Sequence, residues 1–241
     1  MKLVWITDNR EPAACAVARH LLERGWRVAL NDLGGESVEG CERADVDLSD
    51  LAAVQACVEQ FGDEFYGVIH PAPPPVRASI EAASDSEWAQ ALNSGALSAM
   101  LITRVSGERL AALGRGHIVY LNSIHADKPM GHGFLYSMGC AATRMLCREA
   151  ALDYAARGVC CVCVMRGLMA RDMANKNSLT NFYSGVAERY PTKRVPEPES
   201  LCGLLEFLLS DSAKPLNGAD IRADEGLVMF YGDQAEWGRA Q

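Results

Sequence analysis

Residues 3–22 read LVWITDNREPAACAVARHLL, and this stretch decides the fold. Residues 3–7 form a short apolar run of the kind a fully buried strand requires. Asp8, Asn9, Arg10 and Glu11 interrupt it, and behind Pro12 the residues Ala13, Ala14, Val17, Ala18, Leu21 and Leu22 recur at helical spacing. Proline is tolerated in a first helical turn because its missing N–H would have no intrahelical partner there. The reading is strand, turn, helix, closed by Gly25. The unit then repeats. A strand at 28–30 runs into Asn31-Asp32 and the glycine pair at 34–35. A helix at 51–61 leads to a strand at 67–70, a helix at 86–113 to a strand at 117–121, a helix at 136–156 to a strand at 159–165, and a helix at 198–209 to a short strand at 219–222. Strands alternating with helices of this length call for parallel pairing through right-handed crossovers, with helices on both faces of the sheet. The expected fold is one doubly wound α/β domain over 1–241. Ligands of such sheets bind beyond the carboxyl ends of the strands, which singles out 8–12, 31–32, 45–47, 70–75, 123–128 and 166–171. The irregular stretch 169–195 reads as a substrate loop or lid, and 227–241 as an aromatic tail carrying Phe230, Tyr231 and Trp237.

Composition narrows the function classes. With 49% hydrophobic and 22% charged residues in 241, the chain can bury a large core without disulfides or a structural metal. A formal net charge of -8 works against nucleic acid and anionic membrane faces, so small molecules and protein surfaces are the expected partners. The nine cysteines are odd in number, and Cys160, Cys161 and Cys163 fall in the apolar run GVCCVCVM, which fits free buried thiols in a reducing, cytoplasmic setting. No signal-peptide core opens the sequence and no run is long enough to span a bilayer. No metal site is expected, because Cys161 and Cys163 have no further ligands nearby.

The markers that follow run in order over more than two hundred residues. Asp32 ends the second strand. VDLSD occupies 46–50, LNSG has Asn93, and Ser123 in YLNSI precedes Tyr136 in LYSMG by 13 positions. The segment SDSAKPLNGADIRADEG closes the series at 210–226. In these features the sequence resembles the short-chain dehydrogenase/reductase family, which implies a Rossmann-type fold and a nicotinamide cofactor. The resemblance assigns Ser123, Tyr136 and Asn93 to catalysis and Thr7, Asp32, Asp47, Leu48 and Ala72 to the cofactor. Asp32 implies NAD(H) rather than NADP(H). The resemblance also implies a homodimer or homotetramer, paired through the helices 86–113 and 136–156.

Three departures from the family pattern bear on chemistry. The glycine-rich turn is Thr7-Asp8-Asn9-Arg10-Glu11-Pro12-Ala13-Ala14, with all its glycines gone. Glycines there admit the cofactor diphosphate to a helix N-terminus, whereas Asp8 and Glu11 offer it carboxylates or complement the helix dipole themselves. The loop after the fourth strand is His70-Pro71-Ala72-Pro73 in place of the family's Asn-Asn-Ala-Gly, which stiffens it and removes amide donors. Four residues after Tyr136, where the family has lysine, stands Cys140. A lysine there would depress the tyrosine pKa, and a neutral thiol does not. Arg166, in the family's Pro-Gly position, is the expected substitute cation, ahead of Arg144, His125, Lys128 and His132. His70 and Cys140 read first as a structural hydrogen-bonding group and a small hydrophobe.

Three functions follow. One is a divergent oxidoreductase acting on a small carbonyl or alcohol. Another is a non-redox enzyme similar to halohydrin dehalogenases, built on the serine and tyrosine. The last is a non-catalytic homologue that binds a nucleotide or a partner subunit. Arg171, Asn175, Asn177, Phe182 and Tyr183 point to a polar or anionic small-molecule ligand.

Overall fold

The structure is a computed structural model that describes residues 1–173 and 185–229. Seven parallel strands form one sheet in the order β3-β2-β1-β4-β5-β6-β7. They are β1 (Leu3–Ile6), β2 (Arg27–Asn31), β3 (Glu42–Ala44), β4 (Phe65–Pro71), β5 (Gly116–Ser123), β6 (Val159–Arg166) and β7 (Asp220–Ala223). The helices are α1 (Pro12–Glu23), α2 (Leu51–Gln60), α3 (Asp85–Leu92), α4 (Ser98–Ala112), α5 (Phe134–Tyr154), α6 (Val186–Arg189) and α7 (Cys202–Leu208).

Because successive strand side chains point to opposite faces, each central strand feeds two cores. Val4 and Ile6 pack with α1 and α7, while Leu3 and Trp5 pack with α2, α4 and α5. The cysteine run divides the same way, with Cys160 in the first layer and Cys161 and Cys163 in the second. All nine cysteines are free, and all but Cys41 are buried. Burial raises the thiols of Cys160 and Cys163 to about 11 and that of Cys202 to about 11, so they serve as small apolar side chains.

The repeated unit of strand and helix is present, with two differences from the sequence expectation. Residues 42–44 form a short edge strand, too brief and too exposed to carry an apolar pattern. The helix expected at 86–113 is three pieces: α3, a π-turn over Asn93–Leu97, and α4. Apolar periodicity runs through such a bulge, which inserts one residue per turn without ending the helix. Asn175, Asn177, Phe182, Tyr183, Phe230, Tyr231 and Trp237 lie outside the described residues, as do 174–184 of the expected lid and the tail beyond Met229. Among the described residues no helix is long and apolar enough to cross a membrane.

Strand order reverses between β2-β1 and β4-β5, and the crevice at that switch point, beyond the strand ends, holds the residues discussed below.

Candidate functional site

The turn after β1 folds back on itself. Arg10 donates from its backbone N–H (2.8 Å) and its Nε (2.9 Å) to Asp8 Oδ1, and from Nη2 to Oδ2 (2.6 Å). Asn9 is 3% exposed and organises the neighbouring loop. Its Oδ1 accepts from the amides of Leu33 (2.9 Å) and Gly35 (3.0 Å), and its Nδ2 donates to Asp32 Oδ1 (3.0 Å). Gly35 is required by this contact, since a Cβ there would stand 2.2 Å from the Asn9 carbonyl oxygen. Asp32 also accepts from Gly34 N–H and pairs with Arg43 at 3.2 Å. The Gly34 amide first, then Asn9, holds its carboxyl below the usual range.

Glu11 caps α1, with Oε1 accepting from Ala13 N–H at 3.2 Å. Its Oε2 accepts from Arg166 Nη2 at 2.6 Å, and Arg166 also grips Asp172 through Nη1 (2.7 Å) and Nη2 (3.1 Å). Burial works against the Arg166 charge, but Glu11 and Asp172 outweigh it and hold the guanidinium protonated. Burial raises the Glu11 carboxyl, opposed by Arg166. Short bonds between a guanidinium and carboxylates of this kind are charge-assisted and strong. Arg166 is thus committed to two carboxylates at the mouth of β6.

Ser123 ends β5, and its Oγ accepts from His125 N–H at 3.2 Å. Asn122 sets the local frame, donating from Nδ2 to the Cys140 carbonyl at 2.8 Å while its Oδ1 accepts from Ser123 N–H. Tyr136 is half-buried in the first turn of α5, edge-on to the His125 ring at 6.1 Å, with Ser123 near enough to act on its phenol. Burial pushes its phenol well above the usual value, Cys140 adds to the rise, and Arg166 and Ser123 only partly oppose it. Cys140 is 2% exposed with its thiol pushed up to about 12, chiefly by burial. Beside it lies a cleft of about 20 Å³ against Ala72, Pro73, Tyr136 and Thr143, room for about one water.

Ser123, Tyr136 and Cys140 therefore form one cluster. Asn93 sits in the π-turn and lines a cavity of about 570 Å³ with Asp32, Asp47 and Leu48, which meets the small cleft at Pro73 and Ser94. Thr7 is fully buried and shares a 2.8 Å hydrogen bond with His70 Nδ1. Burial lowers the His70 pKa to about 4, so this ring is neutral at pH 7 and structural. The Ala72 amide is used within the fold, donating to Leu121 O at 2.9 Å. Arg144 turns away to Asp220 at 2.8 Å, and Arg171 pairs with Glu36 and Glu199. Among the described residues no group of three or more His, Cys, Asp or Glu side chains is placed to hold a metal ion.

Sequence reasoning singled out 8–12 without giving Asn9 its role, missed Asn122 and Asp172, and missed the pairing of Glu11 with Arg166 across 155 positions. A polar asparagine inside the apolar run of β5 was a usable signal for Asn122; nothing local marked the others.

A nicotinamide dinucleotide needs free amide donors at the α1 N-terminus. Arg10 N–H donates to Asp8, Ala13 N–H to the Glu11 side chain and Ala14 N–H to Glu11 O, and Pro12 has none. The Glu11 carboxylate, bonded to Arg166, takes the Ala13 amide for itself. The residues present do not fit the diphosphate, although the acidic pair and Leu48 line the adjoining cavity.

The profile of the family described as enoyl-(acyl carrier protein) reductase matches residues 9–228. The chain is 25% identical to the 2,5-dichloro-2,5-cyclohexadiene-1,4-diol dehydrogenase LinX of Sphingobium indicum, over 93% of this chain and 95% of that protein. It is 21% identical to the 3-oxoacyl-[acyl-carrier-protein] reductase MabA of Mycobacterium tuberculosis, over 95% and 93%. Among solved structures, a gluconate 5-dehydrogenase from Burkholderia cenocepacia in complex with NADP and tartrate superposes with a TM-score of 0.86 at 20% identity, covering 95% of this chain and 96% of that one. ElxO with NADP bound superposes at 0.83 and 15% identity, covering 95% and 99%. With the strand order, the Ser123–Tyr136 pair and these matches together, the chain belongs to the short-chain dehydrogenase/reductase family of oxidoreductase-like proteins.

Proposed function

We propose that this protein is a short-chain dehydrogenase/reductase homologue that binds a small polar molecule in the 570 Å³ cavity and does not carry out nicotinamide-dependent hydride transfer. The observation that carries this reading is the 2.6 Å Glu11–Arg166 bridge at the N-terminus of α1. It ties up the α1 N-terminus and, in the same contact, commits the cation that the sequence offered in place of the missing lysine.

The relatives are named for dehydrogenase and reductase activities, and two structural neighbours carry NADP. Hydride-transfer chemistry at a carbonyl asks a tyrosine to move a proton near neutral pH. An ordinary phenol is only about 0.1% ionised at pH 7, and burial makes Tyr136 weaker still as an acid. Ser123 and Tyr136 then stay neutral hydroxyls, Tyr136 lining the small cleft that shares Pro73 and Ser94 with the cavity. A dehalogenase-like reaction meets the same obstacle, since the Arg166 charge is already spent on Glu11 and Asp172. Asp32, ionised at the cavity edge, favours an unmodified diol over a phosphorylated one, so any residual dinucleotide affinity is for NAD(H) over NADP(H). A homodimer or homotetramer is supported by the exposed stripe Met138, Met145 and Leu152, spaced seven apart along α5.

The test is a titration of the protein with NADH and NADPH followed by cofactor fluorescence, with ketone reduction assayed in parallel. No saturable binding up to millimolar cofactor is expected. Submillimolar binding together with turnover sinks the proposal.

A further inference from the structure

The Glu11 carboxylate is bonded as a bound anion would be. One oxygen takes a helix N-terminal amide (Ala13, 3.2 Å) and the other a guanidinium (Arg166, 2.6 Å), and the residue is only 8% exposed. Those two donor types, an amide at a helix start and a guanidinium, are what a ligand phosphate seeks. Asp172 fixes the far side of Arg166 and accepts Met169 N–H at 2.8 Å, so the guanidinium cannot swing out to meet a second anion without losing both partners. Asp8 and Arg10 neutralise one another at the cavity rim. Of the cavity-lining carboxylates that remain, Asp32 and Asp45 share Arg43, and Asp47 accepts only from Ser49.

We propose that Glu11 is a tethered anion filling the phosphate subsite, and that the neighbouring cavity consequently takes a phosphate-free vicinal diol, a nucleoside or free sugar. Glu11 provides the exclusion; Asp32 with Gln90, Asn93, Ser94 and Ser98 provides hydroxyl and amide partners around the cavity. The assignment of ligand class rests on the reading that this cavity is the binding site, whereas exclusion of phosphate by Glu11 stands on the bridge itself. A phosphate charge about 4 Å from the one net negative charge that Glu11, Arg166 and Asp172 leave between them loses, at an effective dielectric near 20, up to roughly a thousandfold in affinity. Solvent screening and the freedom of a ligand phosphate to point outward reduce the expected penalty to about thirtyfold or more.

The experiment compares adenosine, ribose and ADP by isothermal titration calorimetry on the wild type, Glu11→Gln and Glu11→Ala, with thermal melts confirming that each is folded. The wild type is expected to bind adenosine at least about thirtyfold more tightly than ADP. In Glu11→Ala, where Arg166 Nη2 loses Glu11 and keeps Asp172, that ratio falls at least tenfold; Glu11→Gln, which keeps the shape and removes the charge, falls in the same direction. Ribose binding alongside adenosine assigns the site to the sugar, and adenosine alone assigns it to the nucleoside. Equal affinity of the wild type for adenosine and ADP overturns the proposal, as does a ratio that neither variant changes. Failure of all three ligands on every folded form overturns the ligand class. Hydride transfer from NADH by the wild type sinks the non-redox reading, which a ratio near one without turnover leaves standing.

Discussion

Replacing Cys140 by lysine restores the charge that the family places one helical turn after the tyrosine, and the outcome can be worked from the site. An ammonium about 4 Å from the Tyr136 oxygen, at an effective dielectric near 20, stabilises phenolate by about 4 kcal/mol, close to three pH units. The ammonium has to fit beside a 2%-exposed position with about 20 Å³ of free space, where Thr143 Oγ1, which donates to Gly139 O, keeps its lone pairs to accept from it. Desolvation then lowers the lysine's own pKa and takes back part of the gain, leaving an expected fall of the Tyr136 titration by one to about three units. The assay is the ultraviolet absorbance of tyrosinate across pH, with Cys140→Lys/Tyr136→Phe as the blank. Ketone reduction with NADH is expected to stay absent in Cys140→Lys, because Glu11 still fills the diphosphate subsite. A folded Cys140→Lys with an unchanged phenol titration refutes the electrostatic reasoning. Cofactor-dependent ketone reduction by that single variant refutes the claim that the Glu11–Arg166 bridge blocks the chemistry.

Two further expectations concern the framework. His70, with its pKa depressed to about 4 by burial, is neutral in the fold and titrates near 6.5 once unfolded, so its contribution is complete above about pH 6.5 and is lost as pH falls towards 4. The loss approaches roughly 3 kcal/mol; His117, also lowered to about 4, adds to the same acid slope. Urea midpoints of wild type and His70→Gln between these pH values test this, and equal slopes would count against it. Gly35→Ala forces a Cβ to 2.2 Å from the Asn9 carbonyl oxygen and should cost roughly 3 kcal/mol or more. Asn9→Ala strands the Leu33 and Gly35 amides and should cost about 2–3 kcal/mol. Thermal melts read both, and a near-neutral Gly35→Ala would show that the turn can move.

Burial and periodicity are local properties of a sequence, and they carried the doubly wound fold. Trp5, Ile69, Ile118 and Cys161 lie in runs whose only stable place is a sheet covered on both sides, so the order of strands and helices was legible at residues 3–22 and in their repeats. The same reading placed Ser123 just beyond a strand end, Tyr136 at a helix start and Asn93 within the helix 86–113, and marked the absent glycines and lysine. The π-turn at 93–97 and the short β3 escaped it, because neither alters an apolar pattern. What the sequence alone left open was the partner of each charge. Glu11 and Arg166 were each visible at their own positions, one as an obstacle to phosphate and the other as a spare cation. Only the parallel packing of β1, β4, β5 and β6 brings the α1 N-terminus against the mouth of β6, where the two meet at 2.6 Å with Asp172 behind them. An ion pair needs no sequence pattern, since it depends on distance and desolvation. That contact, rather than either residue, decides which anion occupies the site.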